Sequence, residues 1–358
     1  MLRPIFSLLF TGLLLWAAVR SSALPPEGGS GDGSLSGVAG RVLAALSEEL
    51  RKKAQFDFDD AERKDWSNLP AGAYARKGVS LGEMDGAARK LTHELLRRSL
   101  SSQGYMKAAA VVHREDILLQ TSGNAKASQM FGTGKYFFDV FGQPGVDKRW
   151  GWQFDGHHLA LNFTIVNGVM TGAPALWGAQ PDEIQTGPEA GWRVFAAERA
   201  KGFALVGALN DAQRKRAVLS QELPKDLFTG PQRDKALQTM EGLPASAMNP
   251  SQQALLWTLI DEYVNNQAPE TALAHRRKIE REGIGKVHFA WMGPIDTGRS
   301  VYYRVHGPSI LIEYDNTGAG HEGRDSNHIH AMFRDPSNDY GEDLLKKHYQ
   351  AAPHGKGR

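Results

Sequence analysis

The histidines are the residues whose spacing points most directly to chemistry. In Asn327-His328-Ile329-His330 two of them stand at i and i+2. On a strand that spacing puts both side chains on one face, about 6.5 Å apart along the chain. Both imidazoles can then address one ion, and imidazole nitrogen suits zinc, copper, iron and nickel. A third ligand must come from another segment. Gly156-His157-His158-Leu159-Ala160-Leu161-Asn162-Phe163-Thr164 offers one. Read as a strand, it sets His158, Ala160, Asn162 and Thr164 on one face and His157, Leu159, Leu161 and Phe163 on the other. His158 has the more polar company, with Asn162 on its face, and is the expected third ligand. His157 is expected behind it, orienting its neighbour.

A third segment, Tyr302-Tyr303-Arg304-Val305-His306-Gly307-Pro308 and on to Asp315, adds acids and bases. Alternation sets Tyr302, Arg304 and His306 on one face, and later Leu311, Glu313 and Asp315 on one face. A carboxylate in so apolar a strand needs a partner, because burying it alone is costly. Arg304, a histidine or a metal could be that partner, so Glu313 is read as a fourth ligand or general base. Two functions then compete. One is a metal-dependent enzyme, hydrolase or oxidoreductase, holding a transition-metal ion (Zn, Fe or Cu) that activates water or a small oxidant. The other is a non-catalytic binding protein for a small polar or sugar-like ligand, its pocket lined by Trp152 and Tyr303. The Gly-rich stretch 316–327, with His321 and Glu322, reads as a surface loop beside the site. Other motifs fail. His93-Glu94 lacks the second histidine of a zinc-binding helix, Gly132-Thr133-Gly134-Lys135 lacks Walker spacing, and no G-x-S-x-G occurs.

The elements that must position these residues follow from periodicity and punctuation. Residues 42–53 read as a first helix. Ser80 and Glu83 form a capping box ahead of Leu81, Met84, Ala88, Leu91 and Leu95, which repeat at helical spacing to about Leu100; a further helix is read over 105–112. Strands follow at 136–141, 149–154 and 157–166. Asn167-Gly168 then marks a hairpin turn, since both residues tolerate positive φ, pairing 157–166 with 169–176. A helical block spans 192–283, in which Asn210 with Gln213 caps one helix, Asn249-Pro250 starts another and Gly283 ends the last. Strands return at 286–292, 301–306, 309–314 and 328–334, and Asp339 with Glu342 caps a final helix. No internal repeat stands out. This order lacks the strand-helix alternation of a parallel sheet. The expected class is α+β, with one largely antiparallel sheet built from two strand-rich segments and flanked by helices.

The chain as a whole bounds the function. Arg3, the apolar run 5–19 and Ser21-Ser22-Ala23 read as a signal peptide, residues 1–23. The run is shorter than the roughly 20 residues of a membrane span. The expectation is an exported chain, periplasmic or extracellular, with no membrane anchor after cleavage. Residues 24–40, rich in Gly, Ser and Pro, read as a flexible leader, 41–350 as one domain and 351–358 as a frayed tail. The sequence holds 42 Lys and Arg against 40 Asp and Glu, and loss of Arg3 and Arg20 evens the two. Such a balance has no electrostatic footprint for a phosphate backbone, so nucleic acid is not an expected partner. The absence of cysteine excludes thiolate metal sites and disulfide staples. A small-molecule ligand or substrate is the expected partner.

Three strings carry a family resemblance: Trp150-Gly151-Trp152-Gln153-Phe154-Asp155-Gly156-His157-His158 running on to Thr164; Tyr303-Arg304-Val305-His306-Gly307-Pro308 running on to Ile312-Glu313-Tyr314; and His328-Ile329-His330 with Arg334-Asp335-Pro336 and Asn338-Asp339-Tyr340-Gly341. Together they resemble the family of proteins of unknown function numbered 3500, over roughly residues 66–349. The resemblance implies one extended domain and brings no established activity. His306 stands where the family pattern is expected to have Gln.

Overall fold

The computed structural model describes residues 33–123, 125–317 and 327–351. The expected signal peptide and most of the Gly-rich loop, His321 and Glu322 included, lie outside the described residues. Helix begins at Leu35, under a Ser34 cap, with Val38 and Ala39 already buried. Residues 35–40, expected to belong to the flexible leader, are therefore helical, because Val38, Ala39 and Val42 form an apolar stripe that packs into the core; residues 24–32 of that leader lie outside the described residues.

Thirteen strands form one sheet. They are β1 (Gln55–Phe56), β2 (Val79–Ser80), β3 (Phe137–Phe141), β4 (Arg149–Gly156), β5 (Leu159–Val166), β6 (Val169–Thr171), β7 (Ala175–Ala179), β8 (Val218–Ser220), β9 (Leu243–Pro244), β10 (His288–Met292), β11 (Tyr302–Gly307), β12 (Ile310–Asp315) and β13 (Ile329–Arg334). The main path runs β1-β3-β4-β5-β7-β13-β12-β11-β10-β8, with β2 on β3, β6 on β5 and β9 on β10. The α+β class holds, and the two strand-rich segments join through β7 and β13. The sheet is mixed, however, not largely antiparallel as expected. β1 runs parallel to β3 and β8 to β10, because each returns through helices long enough to cross the sheet. The Asn167-Gly168 hairpin is present, with both residues at positive φ and Val166 facing Val169.

Each face of the sheet has its own cover. Trp152, Phe154, Leu159, Leu161, Phe163, Trp177, Ile329, Ala331, Phe333, Ile310 and Ile312 pack against helices such as Leu35–Ala45, Gly86–Ser99, Ser102–Thr121 and Pro250–Val264. The opposite face carries Asp139, Gln153, Asp155, Asn162, Arg304, Glu313 and Arg334, all buried. Two segments of equal length with neither strand nor α-helix, 57–78 (which holds one 3-10 turn, Ala61–Lys64) and 221–242, cover it. Their Trp66 and Leu227 meet Ala160, Leu176 and Met332 in a small apolar cluster. The second segment falls inside the block expected to be helical; Pro224, Pro231 and Gly230 break any helical run there. The helix expected from Ser80 starts instead at Gly86. Asp85 accepts from Ala88 N (2.8 Å) as its cap, while Ser80 and Glu83 bond to each other at the end of β2.

The strand order reads the same from both ends, and this exposes a repeat that direct reading of the sequence does not. β3–β4 pairs Phe137 with Asp155 as β10–β11 pairs His288 with His306, and β4–β5 pairs Gly156 with Leu159 as β11–β12 pairs Gly307 with Ile310. Caps coincide too: Ser47 and Asn210, then Asp85 and Asn249. On the strand register, Gly132-Thr133-Gly134-Lys135 matches Gly283-Ile284-Gly285-Lys286; aligned on the Ser47 and Asn210 caps, Leu46-Ser47 with Arg51-Lys52-Lys53-Ala54 matches Leu209-Asn210 with Arg214-Lys215-Arg216-Ala217. The motif rejected above as a phosphate loop is thus a mark of the repeat. β7 and β13 pair antiparallel where the two copies meet.

Candidate metal centre

The β4–β5 hairpin turns on His157 and His158 alone, so both lie in the turn and not on a strand. His158 takes φ 65°, uncommon outside glycine though histidine is among the residues that tolerate it best. The turn is held by His158 N donating to Asn68 O (3.3 Å) and Tyr136 Oη donating to His157 O (2.8 Å). That conformation aims His158 across β7 toward β13. Asn327, also at positive φ (52°), leads into β13 and is tied on both sides of its amide to the backbone of Glu183.

The three expected ligands come together. His158 Nε2 lies 2.8 Å from His328 Nε2, and His328 Nε2 lies 3.1 Å from His330 Nε2. Ring centroids are 4.8, 4.7 and 5.4 Å apart for the three pairs. Beneath the rings β7 offers Gly178, where a Cβ would stand 3.1 Å from His158 Cδ2, 3.2 Å from His330 Cδ2 and 2.7 Å from Ile329 O. Only the missing side chain lets both rings lie there. For a metal with Zn–N bonds of about 2.0–2.1 Å and ligands 90–110° apart, the nitrogens would be roughly 2.9–3.4 Å apart. The His328–His330 spacing lies within that range, the His158–His328 spacing just below it, and all three ligand nitrogens lie within 4.8 Å of one another.

Carboxylates flank the imidazoles at both ends. His330 Nδ1 contacts Asp226 Oδ1 at 2.9 Å, and His157 Nδ1 contacts Glu115 Oε1 at 2.7 Å. The His157 ring stacks on His158 at 3.7 Å. Asp315, opposite His330 in the β12–β13 register, completes a group with Asp226 and His330. Burial and then the neighbouring histidines push His158 well below the usual imidazole range, which keeps its ring neutral and able to ligate. Burial also works against a charged His330, but the hydrogen bond and charge of Asp226 outweigh it and raise that pKa. Burial lifts Asp315 to about 6.

The remaining expected residues are placed elsewhere. Glu313 is fully buried and outside the histidine group. It accepts from Phe228 N (2.7 Å), Thr229 N (2.9 Å), Thr229 Oγ1 and Tyr302 Oη (2.8 Å), so its carboxylate anchors a covering segment and is not a fourth ligand. Arg304 pairs with Glu241, not with Glu313. Asn162 shares the expected face but is committed to Gln153 and Pro174 O. Trp152 and Tyr303 sit in the helix-covered core at 1 % exposure each, which removes the pocket lining that the sugar-like ligand reading relied on. His306 is buried at a separate cleft of about 340 Å³ beside Asp339 and Tyr340, and burial followed by the charges of Arg304 and His288 lowers it to about 4. A larger cleft, about 1330 Å³, is lined by residues near β1 such as Arg51, Asp57 and Arg149, and none of the clustered histidines borders it.

A family model described as a protein of unknown function (DUF3500) matches residues 32–342. The chain belongs to this family. No curated protein and no solved structure matches it. The span shared with the DUF3500 family includes all three clustered histidines and both flanking acids. Sequence reading missed Asp226, Glu115 and Gly178. Asp226 lies in an irregular segment with no periodicity to read, Glu115 looks like any polar position of a helix, and Gly178 matters only once β7 is known to lie between β5 and β13. Among the described residues no helix is long and apolar enough to cross a membrane.

Proposed function

We propose that this chain is an exported metal-dependent enzyme whose His158, His328 and His330 hold one transition-metal ion. The convergence of three Nε2 atoms supports the reading most strongly. Each imidazole–imidazole contact needs a proton between the two lone pairs, whereas one cation satisfies all three nitrogens at once. Asp226 on His330 Nδ1 is the carboxylate–histidine arrangement that fixes the ring and leaves Nε2 bare for a metal. Three protein ligands leave a coordination position for water or substrate, as in catalytic rather than structural sites. A metal there would supply Lewis acidity or a nucleophilic hydroxide, or redox chemistry if it is iron or copper. Hydrolase and oxidoreductase both remain within the proposal, and a small molecule is its substrate.

Elemental analysis of the purified chain, reconstituted with Zn, Fe and Cu in turn, tests this. About one equivalent of one metal is expected, and the His328→Ala, His330→Ala double variant should hold none. A wild-type chain that takes up none of the three, or a double variant that keeps its metal, would remove the proposal.

A further inference from the structure

The carboxylate that looked catalytic in the sequence has a different task. Four donors converge on Glu313, and three of them belong to two adjacent residues, Phe228 and Thr229. On the neighbouring strand β13, two residues past Met332, which faces Glu313, Arg334 donates through Nε (3.1 Å) and Nη2 (2.8 Å) to Thr229 O. Every polar backbone group of Thr229 is therefore gripped from the sheet, the N–H by β12 and the carbonyl by β13. Both gripping side chains are buried to 1 % exposure or less. Nothing else regular holds this stretch, since 221–242 has neither helix nor strand. Three residues before Thr229 stands Asp226, whose Oδ1 reaches His330 Nδ1 and also accepts from Leu227 N (2.7 Å). A chain pinned at 228–229 has little freedom at 226.

We propose that Glu313 and Arg334 form a latch that positions Asp226, and through it sets the ring orientation and tautomer of His330. Glu313 is thus a positioning residue and not a catalytic one. The function of the latch rests on the metal reading above, but its geometry does not. A buried carboxylate that accepts several N–H bonds suits this role, because such bonds are directional and strong in a water-poor site. An outer-shell partner of a metal ligand typically changes affinity about 10–100-fold when altered.

The test uses the full chain in two states. Glu313→Gln replaces an acceptor with an amide that cannot accept from both N–H groups, and Thr229→Val removes only the hydroxyl donor, as a milder variant should the first fail to fold. In the metal-free protein, ¹⁵N NMR of the imidazoles reads the His330 tautomer: the wild type is expected to hold its Nδ1–H toward Asp226, and both variants to lose that preference, Thr229→Val the less. With metal, Glu313→Gln should weaken binding about 10-fold or more in the wild-type background and by less than about twofold when Asp226 is already Asn. A merely structural glutamate would give the same loss in both backgrounds. If the wild type takes up no metal while the tautomer still shifts, the metal proposal falls and the latch stands. If the folded variants leave the tautomer unmoved, or the losses add, the latch is wrong.

Discussion

The two copies of the repeat turn at equivalent hairpins and use them differently. In the first, β4 and β5 turn on His157-His158; in the second, β11 and β12 turn on Pro308-Ser309, in the same register. In each, a glutamate from the helix of its own copy, standing equally far beyond that helix's N-cap (Ser101 or Ala268), takes a turn side chain. Glu115 contacts His157 Nδ1 at 2.7 Å, and Glu282 accepts from Ser309 Oγ at 2.5 Å. The scaffold device is shared and the chemistry is not. The second turn, with proline fixing one φ, closes on its helix through Ser309 O as well, which His275 Nε2 contacts at 2.8 Å. The first turn spends its second residue on a left-handed conformation that throws an imidazole toward the other copy. A site at the seam of a repeat needs only one copy to depart from the common plan, while the other keeps the sheet intact.

Giving the first turn the residue of the second should break the difference most completely. His158→Ser removes one of three proposed ligands and is expected to weaken metal binding by more than about 100-fold, beyond the loss usual for outer-shell changes. Competition against a chelator measures it, and an affinity within about threefold of wild type would show that His158 is not a ligand. Next in size is the floor. Gly178→Ala puts a Cβ 2.7 Å from Ile329 O and against two histidine rings. Overpacking of this kind costs about 1–3 kcal/mol, read as a lower denaturant midpoint with unchanged slope, and it should lower metal affinity as well. Unchanged stability would mean that the rings do not rest on β7.

How much of this was legible follows from where each signal lives. Alternation in 159–166 and 310–315 gave the faces correctly, since period two survives in any strand whose two sides have different covers. Face assignment is why Glu313 could be set apart from Ile310 and Ile312 at all. It could not place His158, whose orientation comes from a turn at positive φ and not from strand parity. It could not separate Glu313 from Asp315 either: both share one face, and only the register opposite His330 shows which is near the cluster. The mixed sheet and the covering segments were invisible for another reason. Edge strands of two or three residues carry no periodicity, and 57–78 and 221–242 take their shape from hydrogen bonds to distant strands. The repeat was hidden because the copies share caps, glycines and basic residues at corresponding points, while their strands keep only polarity.

The helix glutamates test whether the shared device serves structure, chemistry or both. Glu115→Gln and Glu282→Gln each take a charged partner from a buried turn, a loss of about 1–3 kcal/mol, so the two should destabilise the chain to a similar degree in urea. Only Glu115→Gln should also weaken metal binding, through the His157 ring stacked on His158. Equal effects of both on metal affinity would reduce the Glu115–His157 contact to scaffolding.

The smallest effect is expected from the reverse exchange. Ser309→His places an imidazole at the second turn, but β7, the counterpart of β13 across the seam, carries no histidine. One nitrogen ligand on a turn tied to its helix does not make a site. Metal content should stay at about one equivalent, with affinity within about twofold of wild type, and the cost should appear only as lost stability from the broken Glu282 contact. A second equivalent bound by this variant would show that the turn residue alone decides where a metal sits, and that the paired histidines at the entry to β13 matter less than their convergence implies.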